Sequence, residues 1–128
     1  MAFGQARIEY KTNTQMRTMH EAGLVLSRAL DAAVAAAAPG VTTARLDEVF
    51  AAVLQDAGAK SNFLGYHGFP ATICTSVNEE VVHGIPGSRV LRDGDIISID
   101  GGAIVDGWHS DSARTVIVGT ADPEDVRL

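Results

Sequence analysis

The hydrophobic pattern of this chain changes period once, and that change narrows the folds open to it. Up to Gly58 the apolar residues recur at helical spacing; from Thr72 onward they come in short runs rich in β-branched residues. Met16, Met19, Gly23, Leu26, Leu30 and Val34 fall on one face of a helix. Thr12 to Thr14 offer oxygens to cap its start, and Pro39-Gly40 ends it. Leu46, Val49, Phe50, Val53 and Leu54 make a second stripe, with Thr42 and Thr43 as caps and Gly58 as its close. Each helix has one apolar stripe and one polar face, as helices lying on one side of something flat do.

The flat element comes next. Residues 72–77, 95–100, 103–105 and 112–118 read as four strands, with turns at Asp93-Gly94 and Asp106-Gly107. Two helices and then a meander of strands predict an α+β domain, both helices packed on one face of an antiparallel sheet. Residues 1–11 read as an arm. Near the other end, Asp122 as cap, Pro123 at the first helical position and the acids Glu124 and Asp125 read as the start of a third helix.

Charge and length exclude several classes. At 128 residues the chain holds one domain. A net charge of −6 with no basic run speaks against nucleic acid and against anionic membrane surfaces as partners. The apolar stretch over residues 24–38 is interrupted by Arg28 and Asp31, too weakly hydrophobic to span a bilayer, and begins too late for a signal peptide. The lone Cys74 can make neither an internal disulfide nor a cysteine zinc cluster, which fits a reducing, cytoplasmic compartment.

Several residue types suggest chemistry. Asp100 ends an apolar strand, and Asp111 lies eleven residues on, beyond a turn. A strand–turn–strand excursion of that length can return the second carboxylate beside the first. Such a pair needs a shared proton, a basic partner or divalent cations. Asp-Gly dipeptides are also ordinary turn formers, so spacing alone leaves both readings open. His83, between a strand and the Gly84-Ile85-Pro86 loop, either faces a cleft, where its pKa suits proton transfer, or lies exposed. His67 sits in the aromatic, Gly-rich loop Gly65-Tyr66-His67-Gly68-Phe69-Pro70, which either floors an apolar pocket or simply packs. His109, between Trp108 and Asp111, suits a supporting place behind a ligand, and His20 an exposed place on the first helix. Cys74 within a strand reads as a small buried hydrophobe. Neither a Gly-x-Ser-x-Gly turn nor a phosphate loop is present.

Taken together, Gly65 to Pro70, the run Cys74-Thr75-Ser76-Val77-Asn78-Glu79-Glu80-Val81-Val82-His83-Gly84-Ile85-Pro86, Asp93 to Asp100 and Asp106-Gly107-Trp108-His109-Ser110-Asp111 resemble type I methionine aminopeptidases. Met16, Arg17, Ala22-Gly23 and Pro39-Gly40-Val41 fit as well, so the resemblance covers about residues 8–120. It implies the first half of a pita-bread fold and the removal of initiator methionine from nascent chains at a two-metal site. It implies that Asp100 and Asp111 are metal ligands. His83 becomes the catalytic histidine that contacts substrate. Tyr66, Phe69 and Cys74 become walls of the methionine pocket, and His67 a further histidine of the substrate site. Two divalent cations (Co, Mn, Fe, Zn or similar) would polarise the peptide carbonyl and make a bridging water acidic. Carboxylate ligation does not choose among them.

The sequence departs from the family in three places. Phe63 stands where some members carry Cys and reshapes the pocket wall; Ser110 stands where Gly is common and is expected to stiffen a turn. The family's other ligands, a histidine and two glutamates, belong to a second half. Here only seventeen residues come after Asp111, with no histidine after His109 and Glu124 as the one glutamate. The expectation is therefore an N-terminal half over residues 12–120, then the start of a truncated helix at 121–128, with weak or absent metal binding and no activity by itself. The alternatives are a non-catalytic interaction half-domain that self-associates or joins a complementing C-terminal half, and a relative acting on Xaa-Pro peptides.

Overall fold

The computed structural model describes residues 7–128. The expected arm over 1–11 lies outside the described residues up to position 6. Residues 7–11 run exposed, outside any helix or strand, and bring the Lys11 ammonium 5.6 Å from the centre of the Trp108 ring.

Helix α1 spans Asn13–Ala36 and opens with a reciprocal cap: Gln15 N–H donates to Thr12 Oγ1 at 3.2 Å, and Thr12 N–H to Gln15 Oε1 at 2.8 Å. Its buried face is Ala22, Val25, Leu26, Ala29, Leu30 and Ala33. The expected stripe is displaced from this at its ends, since Met16 is 56% exposed and Met19 and Val34 are half-buried. Alanines set the face turned inward, because their small side chains let the helix come close; a stripe chosen by large residues points beside it. Helix α2, Thr43–Asp56, is capped by Thr42 Oγ1, which accepts from Arg45 N–H at 3.2 Å. It buries Leu46, Phe50 and Leu54.

The sheet has three antiparallel strands, β1 (Ile73–Val77), β2 (Ile96–Val105) and β3 (Trp108–Ile117), in that spatial order. Four were expected. Residues 96–100 and 103–105 belong to one strand, because Gly101-Gly102 stay extended instead of turning. These glycines serve close approach: a Cβ on Gly101 would lie 2.6 Å from Cζ of Phe50, and one on Gly102 would strike the side chain of Asn62. Strand β3 begins four residues earlier than expected, directly after the Asp106-Gly107 turn, where φ is positive at both residues (47° and 79°) as a tight hairpin requires.

Side chains alternate across the sheet. Ile73, Val77, Ile97, Ile99 and Ala103 face the helices and form the core with Leu26, Leu30 and Phe50. Arg114, on the same face, reaches α1 and bonds Asp31 and Ser27. Cys74, Asp100 and Asp111 belong to the opposite face. Asp122 Oδ1 accepts from Glu124 N–H at 2.8 Å, but it does not cap a helix as expected: the chain makes only a single 3-10 turn, Asp125–Arg127, whose cap position is Glu124 and which no side chain caps. Among the described residues no helix is long and apolar enough to cross a membrane.

Candidate active site

The sheet face turned away from the helices is covered over β1 by two loops and left open over β3. Cys74 and Ser76 are buried there, whereas His109, Asp111, Ala113 and Thr115 are exposed. Within this face Cys74 lies opposite Asp100, and Asp111 opposite Gly102.

Asp100 and Asp111 lie on one face of the β2–β3 pair, near enough for the charge of one to act on the other. The Asp100 carboxyl is pushed above the usual carboxylate range, first by burial and then by the charge of Asp111, with His83 pulling the other way. Two hard carboxylate oxygens repelling one another beside an imidazole are a donor set that fits a divalent cation. Among the described residues no three histidine, cysteine, aspartate or glutamate side chains are grouped to hold a metal ion. Cys74 is buried and its thiol is pushed up to about 11, by burial first and then by Asp100 and Asp111. It stays protonated at neutral pH and packs as the small hydrophobe expected.

His83 is held in the left-handed region, φ 60°, by the loop after β1. Gly84 is stitched to the edge of that strand: Thr75 N–H donates to Gly84 O at 2.8 Å, and Gly84 N–H to Ser76 Oγ at 3.1 Å. A Cβ at Gly84 would run into the Thr75 carbonyl, so only glycine permits the approach. The other loop closes on itself between Gly65 N–H and Phe69 O at 2.8 Å. Inside it the Tyr66 and His67 rings meet edge to face, 4.2 Å between centres, and Phe63 meets Phe69 in the same way at 6.3 Å.

The two loops and the sheet enclose a cleft of about 440 Å³. Tyr66, His67, Phe69, Cys74 and His83 line it together with Asp100 and Asp111, so the residues to which the resemblance gives a role come to one place, whereas His109 and His20 lie outside it. Phe63 forms part of its wall, as its departure from the family pattern suggested. Ile85 lines the cleft too and was missed, as was Asn62, which lies over Gly102 with Nδ2 3.2 Å from His109 Nδ1. The Gly101-Gly102 pair inside an apolar run was the available signal for such a close approach. Ser110 does not stiffen a turn: it lies within β3 opposite Ala103, its side chain 3.5 Å from where a Cβ on Gly23 of α1 would be.

A helix-backed antiparallel sheet presenting paired carboxylates beside an aromatic cleft suits metal-dependent chemistry on an apolar side chain. The profile of metallopeptidase family M24 matches residues 17–128, and the chain belongs to that family. It is 46% identical over 126 residues to methionine aminopeptidase 1 of Mycobacterium tuberculosis, an alignment covering 98% of this chain and 47% of that protein. The crystal structure of methionine aminopeptidase from Rickettsia prowazekii superposes with a TM-score of 0.92 at 36% identity, covering 95% of this chain and 49% of that one. An Xaa-Pro dipeptidase from Bacillus anthracis superposes with a TM-score of 0.78 at 23% identity over 91% of this chain and 32% of that one; it shares the fold. The expected pita-bread relationship therefore holds, and the chain spans about half the length of the methionine aminopeptidases it matches.

Proposed function

We propose that this chain carries part of a methionine aminopeptidase site, for metal-dependent hydrolysis of the peptide bond after an N-terminal methionine. The observation that carries the reading is the Asp100–Asp111 pair, with His83 beside it, at the wall of an apolar cleft. In it Asp100 and Asp111 hold divalent cations, each supplying carboxylate oxygen. His83 donates a hydrogen bond to the substrate. Phe69, Cys74 and the ring of Tyr66 receive the methionine side chain, whose thioether suits a soft aromatic wall. His67 borders the same substrate. When bound, cations there supply polarisation of the scissile carbonyl and a water of lowered pKa. Co, Mn, Fe and Zn all remain compatible with carboxylate ligation. Peptides with an N-terminal methionine, made in the cytoplasm, are the substrates that go with this reading, supported by the 46% identity to a methionine aminopeptidase.

The test is calorimetric titration of Mn²⁺ into the 128-residue chain and into Asp100→Asn and Asp111→Asn. Weak binding that both substitutions abolish is expected, with no measurable release of methionine from a Met-Ala-Ser peptide by the chain alone. Binding unchanged in both variants overturns the reading; robust turnover by the chain alone overturns the expectation of inactivity.

A second reading, completion of the site by another polypeptide segment or a second copy, is favoured by one observation. The outer edge of β3 has no strand partner among the described residues, and Leu64, Val82 and Ile85 are exposed. Sedimentation at micromolar concentration distinguishes the two: self-association supports it, a monomer speaks against the second copy.

A further inference from the structure

We propose that Asn62 is a positioning residue of the carboxylate pair: its amide crosses over Gly102 of β2 and ties β3, next to Asp111, to the segment that follows Lys60. This rests on the reading of Asp100 and Asp111 as a cation-binding pair. The backbone brings Asn62 there, because Lys60 continues the sheet beyond β1. Lys60 N–H donates to Ile104 O at 3.1 Å, and Ile104 N–H to Lys60 O at 2.8 Å. Two residues on, the amide lies where a side chain of residue 102 would be, and a Cβ on Gly102 would sit 2.6 Å from Asn62 Cγ. Gly102 is the residue paired with Asp111. The amide thus fills the sheet face between the two carboxylate-bearing strands.

Its far end contacts β3 twice. Asn62 Nδ2 donates to Ser110 O at 3.5 Å and lies 3.2 Å from His109 Nδ1. The first contact fixes the second, since the reversed amide would set two oxygens against each other. With an N–H₂ facing it, His109 Nδ1 accepts, and the ring carries its proton on Nε2. Asn62 Oδ1 is meanwhile buried without a partner. An unpaired buried oxygen is unfavourable, a cost that the two contacts of the N–H₂ group offset. The placement matters because β3 is an edge strand whose outer groups have no strand partner among the described residues, and the two residues held directly precede Asp111. Groups that orient a ligand in this way commonly govern affinity without touching the ion.

Mn²⁺ affinity, measured by calorimetry and by the Mn²⁺ spin-resonance signal, is compared for the 128-residue chain and for Asn62→Ala, His109→Ala, His109→Asn and Asp111→Asn. Asn62→Ala and His109→Ala are expected to weaken binding at least about tenfold with the helical dichroism retained. His109→Asn, which keeps an acceptor where Nδ1 stands, recovers most of the affinity, a rescue that loss of mere bulk does not allow. Imidazole ¹⁵N shifts of His109 report the proton on Nε2 in the parent chain and a mixture of tautomers in Asn62→Ala. Parent-like Mn²⁺ binding by Asn62→Ala, where Asp111→Asn has lost it, overturns the inference and leaves the cation site standing. A proton on His109 Nδ1 in the parent chain overturns it too. Parent-like binding by Asp111→Asn removes the cation site itself, and the inference with it. Should Asn62→Ala fail to fold, equal affinities of His109→Ala and His109→Asn overturn the proposal.

Discussion

Asp100 and Asp111 stand diagonally across the β2–β3 pair, Asp100 opposite Ala113 and Asp111 opposite Gly102, so both carboxylates share one face two positions apart. Diagonal neighbours on a sheet are within reach of one another. Here that nearness joins burial in holding the Asp100 proton more tightly than a free carboxyl would.

This arrangement lowers stability at neutral pH. A carboxyl whose folded pKa is raised contributes fully below its unfolded value, about 3.8, and loses that contribution as pH rises through the folded value. Asp100→Asn is therefore expected to have a higher urea midpoint than the parent chain at pH 7 in the presence of chelator. The difference should vanish near pH 3, and added Mn²⁺ should reverse the order. A lower midpoint for Asp100→Asn at pH 7 with chelator would contradict the account.

Cys74 should resist alkylation. With its thiol pushed up to about 11 and its side chain buried, little thiolate exists at pH 8. Iodoacetamide is expected to label the unfolded chain in urea readily and the native chain only slowly, with the native rate climbing steeply above pH 10. Asp100→Asn removes one of the charges that raise the thiol and should shift that climb to lower pH, as mass spectrometry of timed samples would show.

Gly101→Ala should destabilise without touching the carboxylates. The added Cβ meets the Phe50 ring and Ile73 Cγ2, at 2.6 and 3.2 Å, and Phe50 is fully buried with no room to withdraw. Overpacking of this kind costs about 1–3 kcal/mol, read from urea unfolding. A neutral result would mean that α2 shifts outward freely.

Asp47 of α2 fixes the entry to β1. Its Oδ1 accepts from Thr72 N–H (2.8 Å), Thr72 Oγ1 (2.6 Å) and Ile73 N–H (3.2 Å). Asp47→Ala leaves two backbone donors without their acceptor, a loss of about 1–3 kcal/mol. Amide exchange at Thr72 and Ile73 should quicken in step, and unchanged exchange there would argue against the tie.

The sequence revealed the layout through period and punctuation. Thr12 and Thr42 announced both helices, and Asp106-Gly107 announced the hairpin. The glycine pair at 101–102 misled for a physical reason: glycine marks both turns and close approaches, and only the positions of Phe50 and Asn62, distant along the chain, decide which. The α1 face misled because alanine hardly registers in a hydrophobic stripe, though it sets how near a helix can come. In the site, Asp100, Asp111 and His83 were legible from motif residues. Asn62 was not, since its meaning lies in a contact 47 residues away with His109.

The strict alternation along β2 and β3 also limits how a gene for this hairpin can change. Ile97 and Ile99 face the core while Asp100 and Asp111 face the cleft, so gaining or losing one codon within either strand would exchange the two sets beyond that point. Point substitutions can enter such a segment one at a time, whereas changes in length are confined to the tip at Asp106-Gly107.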